Sequence, residues 1–131
     1  MKVVAVSGFF DPLHVGHVEY FELASKLGDK LVVILNNDKQ CFIKKGRAFM
    51  PEEEKKKIIE AIRYVDEVFL SVDEDITVCK SLAAVKPDIF AKGGDRFADE
   101  IPEAKICEEL GILMVDGLGK KIQSSSDLIK K

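Results

Sequence analysis

The chain has 131 residues, 47% of them apolar, with 20 basic against 23 acidic side chains and a net charge of −3. That length buries one workable core, and a weak negative charge is the wrong sign for a general nucleic-acid or membrane surface. Met1-Lys2-Val3-Val4 enters a strand pattern directly and no apolar run approaches a membrane span, so a cytoplasmic protein of one domain, residues 1–131, is expected.

Val3-Val4-Ala5-Val6 is apolar at odd and even positions alike, the pattern of a parallel strand buried on both faces. Ser7 to Leu13 reads as the strand-to-helix loop. From His17 the apolar positions Tyr20, Leu23, Ala24 and Leu27 keep helical period until Gly28. His14 and His17, the chain's two histidines, therefore fall at an opening helical turn. Unpaired backbone N–H groups and the positive end of the helix dipole favour an anion there. Residues three apart share a face, and Gly16 between them lacks a Cβ, so the backbone can approach a phosphate or base closely. An imidazole donates one hydrogen bond and an imidazolium two, which suits the pair to phosphate oxygens as charge builds on them. A zinc pair is the competing reading. Zinc-binding histidines on a helix usually stand four apart with a further ligand nearby, and Asp11 is the other good ligand close in sequence. Asp11 is read instead as ordering the loop or a histidine, and no metal ligand is assigned.

Further along, strands are expected at about Lys30 to Asn36, Glu67 to Val72, Asp88 to Lys92 and Ile112 to Val115. Asn36 to Phe49 reads as a long, glycine-poor loop whose Lys44, Lys45 and Arg47 would offset phosphate charge. A helix starts at Pro51, with Glu52 to Glu54 at its positive end and Ile58, Ala61, Ile62 and Val65 as its apolar stripe. Its Lys55-Lys56-Lys57 run reads as a solvated face, ion-paired to Glu52 and Glu53. Gly93-Gly94 permits a tight turn with close backbone approach, flanked by Lys92, Asp95 and Arg96, which are candidates for ribose or base. Ser124-Ser125-Ser126-Asp127 has the form of a helix N-cap and can receive a phosphate on the same N–H groups and hydroxyls. Cys41, Cys79 and Cys107 are odd in number and lack a C-x-x-C pair, so free thiols are expected.

Strands alternating with helices indicate α/β architecture: one doubly wound, Rossmann-like parallel sheet in the order 3-2-1-4-5. In that order the crevice opens at the carboxyl ends of the first and fourth strands, bringing Gly8 to His17 opposite Lys92 to Arg96.

Gly8 to His17 resembles the G-x-F-D-x-x-H-x-G-H signature of the cytidylyltransferase-like nucleotidyltransferases. Lys44-Lys45-Gly46, Arg63-Tyr64-Val65-Asp66-Glu67-Val68 and Ser124-Ser125-Ser126 follow in the family's order. Over its whole length the chain most resembles the glycerol-3-phosphate cytidylyltransferases, whereas Lys92-Gly93-Gly94-Asp95 resembles the heptose-1-phosphate adenylyltransferases. The resemblance implies transfer of a nucleotidyl group from CTP, or alternatively ATP, to a small phosphorylated acceptor, with release of pyrophosphate. His14 and His17 would stabilise charge on the phosphates, and Lys44 or Lys45 would steady the acceptor or the α-phosphate. The nucleotide would lie against Gly8, the N–H groups of Phe9 and Phe10, Asp11, Gly16, Lys92 to Arg96 and Ser124 to Ser126. Mg2+ would be held by the nucleotide, and a homodimer would form near Arg63 to Val68. The family's arginine ahead of the serines is missing here, with Lys120 or Lys121 as its candidate substitute. A nucleotide-binding regulatory module without turnover is the reading from another class.

Overall fold

The computed structural model describes residues 1–10, 13–47, 50–75, 77–91 and 103–115, with Lys45 by its backbone alone. In these residues β1 (Val3–Gly8), α1 (Val15–Ser25), β2 (Lys30–Leu35), α2 (Asp38–Lys45), α3 (Glu52–Glu60), β3 (Glu67–Leu70), α4 (Cys79–Val85), β4 (Ile89–Ala91), α5 (Glu103–Leu110) and β5 (Leu113–Val115) follow one another. The strands form one sheet in the order β3-β2-β1-β4-β5, every pairing parallel, as expected from the alternation of elements.

The unbroken apolar runs of the strands are explained by burial on both faces. Val4, Val6, Leu31, Val33 and Leu35 pack with Phe21 and Ala24 of α1 and Ile59 of α3. Ala5, Ile34 and Phe90 turn the other way, toward Leu82 of α4 and Cys107 of α5. Period-2 alternation thus sorts one strand's side chains between two cores.

The amino and carboxyl ends of the sheet do different things. At the amino ends, aspartates close the edges: Asp29 accepts from Lys2 N at 2.7 Å, Asp66 from Leu31 N at 2.8 Å and Asp88 from Val3 N at 2.8 Å. The carboxyl ends of β1 and β4 border the point where the chain changes sides, the usual place for a ligand crevice. Buried Tyr20 of α1 donates its hydroxyl to the Ala91 carbonyl at 2.6 Å, fixing the end of β4 against the helix that follows β1.

The segment expected to be a long loop contains α2. Asn37 and Gln40 cap each other, with Gln40 N donating to Asn37 Oδ1 at 2.8 Å and Asn37 N to Gln40 Oε1 at 3.0 Å. Gly46 ends the helix in the left-handed region at φ 81°. Helix α3 is cradled by α2, as Asp38 N donates to Glu52 Oε1 and Glu52 N to Asp38 Oδ1. Of its expected apolar stripe, Ile62 and Val65 pack against the core, whereas Ile58 and Ala61 are exposed and Ile59 is fully buried instead. Pro51 occupies the N-cap rather than the first helical position.

Candidate active site

Helix α1 begins at Val15, two residues earlier than the periodicity predicts, because the histidines themselves cap it. His14, extended at φ −147° and ψ 177°, is the N-cap, and its Nδ1 accepts from Gly16 N at 3.1 Å. His17 Nδ1 accepts in return from His14 N at 3.1 Å. The two rings stack with centroids 3.9 Å apart at 30°. An Nδ1 that accepts from a backbone N–H carries no proton, so each ring takes the tautomer whose donor is Nε2–H. The backbone thereby sets the chemistry of both imidazoles, giving adjacent donors at the positive end of a helix.

Gly16 acquires a sharper role than close approach to a ligand. A Cβ on it would stand 2.9 Å from His14 Cε1 and 3.0 Å from His14 Nδ1, so the glycine makes room for the capping ring. Gly8 does the same for Phe10, whose ring would meet a Cβ at 2.7 Å. Phe10 is buried edge-on to His17, centroids 4.9 Å apart at 86°, and so braces the second imidazole from behind. It adopts φ 49°, a strained conformation for a residue with a side chain, which costs about 1–3 kcal/mol and persists when the surroundings enforce it.

Lys44 lies on the last turn of α2, exposed, with Nζ 5.5 Å from the centre of the Phe9 ring. Its charge is thus brought beside the loop it was expected to serve, from a helix rather than from a long loop. The Lys55–Lys57 run departs furthest from expectation. Lys55 is fully buried, donating from Nζ to the Phe9 carbonyl oxygen at 2.9 Å and to Cys41 Sγ at 3.4 Å. Lys56 pairs with Glu60 at 2.9 Å, while Glu52 is engaged by α2. Asp66 has one oxygen bound to Leu31 N in its own chain, and Arg63 lies over its own Tyr64 ring at 5.7 Å. Asp11, the side chain of Lys45, Lys92, Gly93, Gly94, Asp95, Arg96, Lys120, Lys121, Ser124, Ser125 and Ser126 lie outside the described residues.

A second concavity, of about 480 Å³, lies on the β3–α4 connection and includes Asp73, Asp75, Thr77 and Cys79. Its carboxylates serve the local chain: buried Asp73 accepts from Lys80 N, Ser81 N and Ser81 Oγ at 2.6–2.9 Å. The Thr77 hydroxyl and amide hold Asp75 below the usual carboxylate range. Burial pushes the Cys79 thiol up, away from the reactive thiolate. An acidic hollow with a protonated thiol is poorly suited to a triphosphate, whereas the start of α1 is well suited. The other two cysteines, Cys41 and Cys107, are both buried.

Comparison with known proteins gives a consistent picture. A family model described as cytidylyltransferase-like matches residues 5–129. The FAD synthase of Ferroglobus placidus is 45% identical over 100 residues, which are 76% of this chain and 64% of that protein. The FAD synthase of Picrophilus torridus is 33% identical over 135 residues, 100% of this chain and 95% of that one. The bifunctional protein HldE of Desulfatibacillum aliphaticivorans is 40% identical over 112 residues, 84% of this chain but 22% of HldE. Among solved structures, the lipopolysaccharide core biosynthesis protein of Thermoplasma volcanium GSS1 superposes with a TM-score of 0.74 at 30% identity, over 89% of this chain and 94% of that one.

Proposed function

The chain belongs to the cytidylyltransferase-like family, and from that premise we propose that it is an adenylyltransferase, joining the AMP group of ATP to the phosphate of a small acceptor, a flavin phosphate first among the candidates. The observation that carries nucleotidyl transfer is the stacked His14–His17 pair, with Nδ1 of each ring held by the backbone at the open start of α1. The choice of ATP over the CTP favoured by the sequence rests on the relatives. A FAD synthase aligns over the full chain, and FAD is AMP joined to a flavin phosphate through a phosphoanhydride bond. A sugar 1-phosphate acceptor is the second reading, favoured by the HldE match and the Lys92-Gly93-Gly94-Asp95 segment.

On this reading an acceptor phosphate oxygen attacks the α-phosphorus of ATP. The new P–O bond forms as the bond to the bridging oxygen of the β-phosphate breaks, and the electron pair leaves with pyrophosphate. The Nε2–H groups of His14 and His17 and the N–H groups of Phe9 and Phe10 stabilise the phosphate oxygens, with Lys44 or Lys45 steadying the acceptor or the α-phosphate. Mg2+ is expected to enter on the triphosphate, whose hard oxygens suit it, and to screen phosphate charge there. Positioning and electrostatics suffice for such a transfer, so no covalent nucleophile is assigned.

The test is pyrophosphate release with ATP or CTP and Mg2+ against FMN, sugar 1-phosphates and glycerol 3-phosphate, with the nucleotide product identified by mass. Pyrophosphate is expected with ATP and FMN together and with neither alone. ATP should also stabilise the fold by about 2.7 kcal/mol at one hundred times its dissociation constant. Turnover with CTP and glycerol 3-phosphate but not ATP would restore the cytidylyl reading, and triphosphate binding without pyrophosphate from any acceptor would favour a regulatory module. The homodimer through residues 63–68 remains part of the proposal. Its charge exchange would fall to Arg63 and the second oxygen of Asp66, and a monomer mass by light scattering would rule it out.

A further inference from the structure

A buried ammonium ordinarily lies against a carboxylate. None of the described residues places one within ion-pair distance of Lys55, which is fully buried and bonded instead to a peptide oxygen, that of Phe9, and a sulfur, that of Cys41. The peptide oxygen belongs to the loop between β1 and α1. In a trans peptide the C=O and N–H point in opposite directions, so drawing the Phe9 oxygen toward α3 turns the Phe10 N–H to the far side of the loop. Phe10 holds φ 49°, a conformation that requires such outside support.

We propose that Lys55 is a positioning residue for nucleotidyl transfer: it fixes the Phe9–Phe10 peptide so that the Phe10 N–H faces the nucleotide's phosphates, and it sets a positive charge behind the loop that receives them. The proposal rests on the nucleotidyl-transfer reading and adds a residue to that site. It also explains a charge that stability alone does not call for, since replacing buried charges with apolar groups of like size is often neutral or stabilising.

The test compares Lys55→Met, Lys55→Arg and the surface control Lys56→Met in the full chain, by thermal unfolding, by ATP-induced thermal shift and by steady-state kinetics with ATP, Mg2+ and the best acceptor. Lys55→Met is expected to unfold at or above the parent's temperature while kcat/KM falls about a hundredfold, mostly in kcat, the scale for misplacing reacting groups by about an ångström. Lys55→Arg, which keeps a buried donor to the Phe9 oxygen, is expected to recover much of that loss, and Lys56→Met to match the parent. Lys55→Met with the parent's kcat/KM would overturn the proposal. So would a Lys55→Met protein that fails to fold, or stability and activity falling in step in both Lys55 variants, because the residue would then be structural only. A parent that neither binds nor turns over any nucleoside triphosphate removes the nucleotidyl-transfer reading and this proposal together, and that result is visible before any variant is made. An active parent with an unaffected Lys55→Met removes the role of Lys55 alone.

Discussion

Alanine in place of either motif histidine is expected to lower kcat by about two to three orders of magnitude, the scale for removing one preorganised donor from a developing charge. The same substitution also removes a cap. His14 Nδ1 serves Gly16 N and His17 Nδ1 serves His14 N, so each alanine variant should lose about 0.5–2 kcal/mol of stability. A slow, destabilised variant would leave cause and consequence entangled, and substitutions that keep the acceptor separate them. Asparagine is among the best N-caps, and its oxygen can occupy the place of Nδ1 while nothing reaches the place of Nε2. His14→Asn should therefore keep the parent's unfolding temperature and still lose turnover. Glutamine at the third helical position is the usual partner in a capping box, so His17→Gln tests the second ring in the same way. Parent-like turnover in His14→Asn and His17→Gln would end the assignment of the imidazoles as donors to the phosphates.

The sheet was legible because its strands carry their own burial in their sequence. Val3 to Val6 and Leu31 to Leu35 are apolar without alternation, and a strand covered on both faces requires that pattern. The His pair was legible for a different reason: a glycine-bounded turn between a buried strand and a helix has few uses for two imidazoles. Helix α2 was overlooked although its signal was present, since Asn37 and Gln40 have the spacing of a capping box and Gly46 that of a C-terminal stop.

Lys55 was misread by phase. Taking Ile58, Ala61, Ile62 and Val65 as the stripe leaves Lys55 only at its margin. Taking Ile59 and Ile62 puts it at i of an i, i+4, i+7 stripe, pointing inward, where it lies. A lysine at an apolar-stripe position is a readable sign, but what it binds, the carbonyl of Phe9 more than forty residues earlier, emerges only from the tertiary fold. The nucleotide base was illegible for want of local constraint. The Lys92 to Asp95 segment and the overall length pointed in opposite directions, and no spacing rule weighs one against the other.

Gly16→Ala discriminates between two accounts of the motif's central glycine, one derived from the sequence and one from the structure. Gly16 shows no positive φ, so alanine suits its backbone and is favoured in a helix by about 0.8–1.0 kcal/mol. Against that gain stands the N-cap bond from this residue's N–H to His14 Nδ1, about 0.5–2 kcal/mol and lost when the ring moves, so stability should hold or fall slightly. The added methyl would stand 2.9 Å from His14 Cε1, closer than side-chain carbons approach, and the ring has to leave its stack on His17. The expected result is a fall in kcat of about a hundredfold, as for other displacements of about an ångström at a reacting centre. If room for the ring is the reason, the loss depends on the ring being present. His14→Ala combined with Gly16→Ala should then be no slower than His14→Ala alone, a coupling as large as the Gly16→Ala effect itself. If instead the glycine serves close approach of a phosphate or base to the backbone, the methyl obstructs the ligand whether or not His14 is there, and the two losses multiply. A multiplicative result would return Gly16 to the role first read from the sequence, and a Gly16→Ala protein at the parent's rate would remove both.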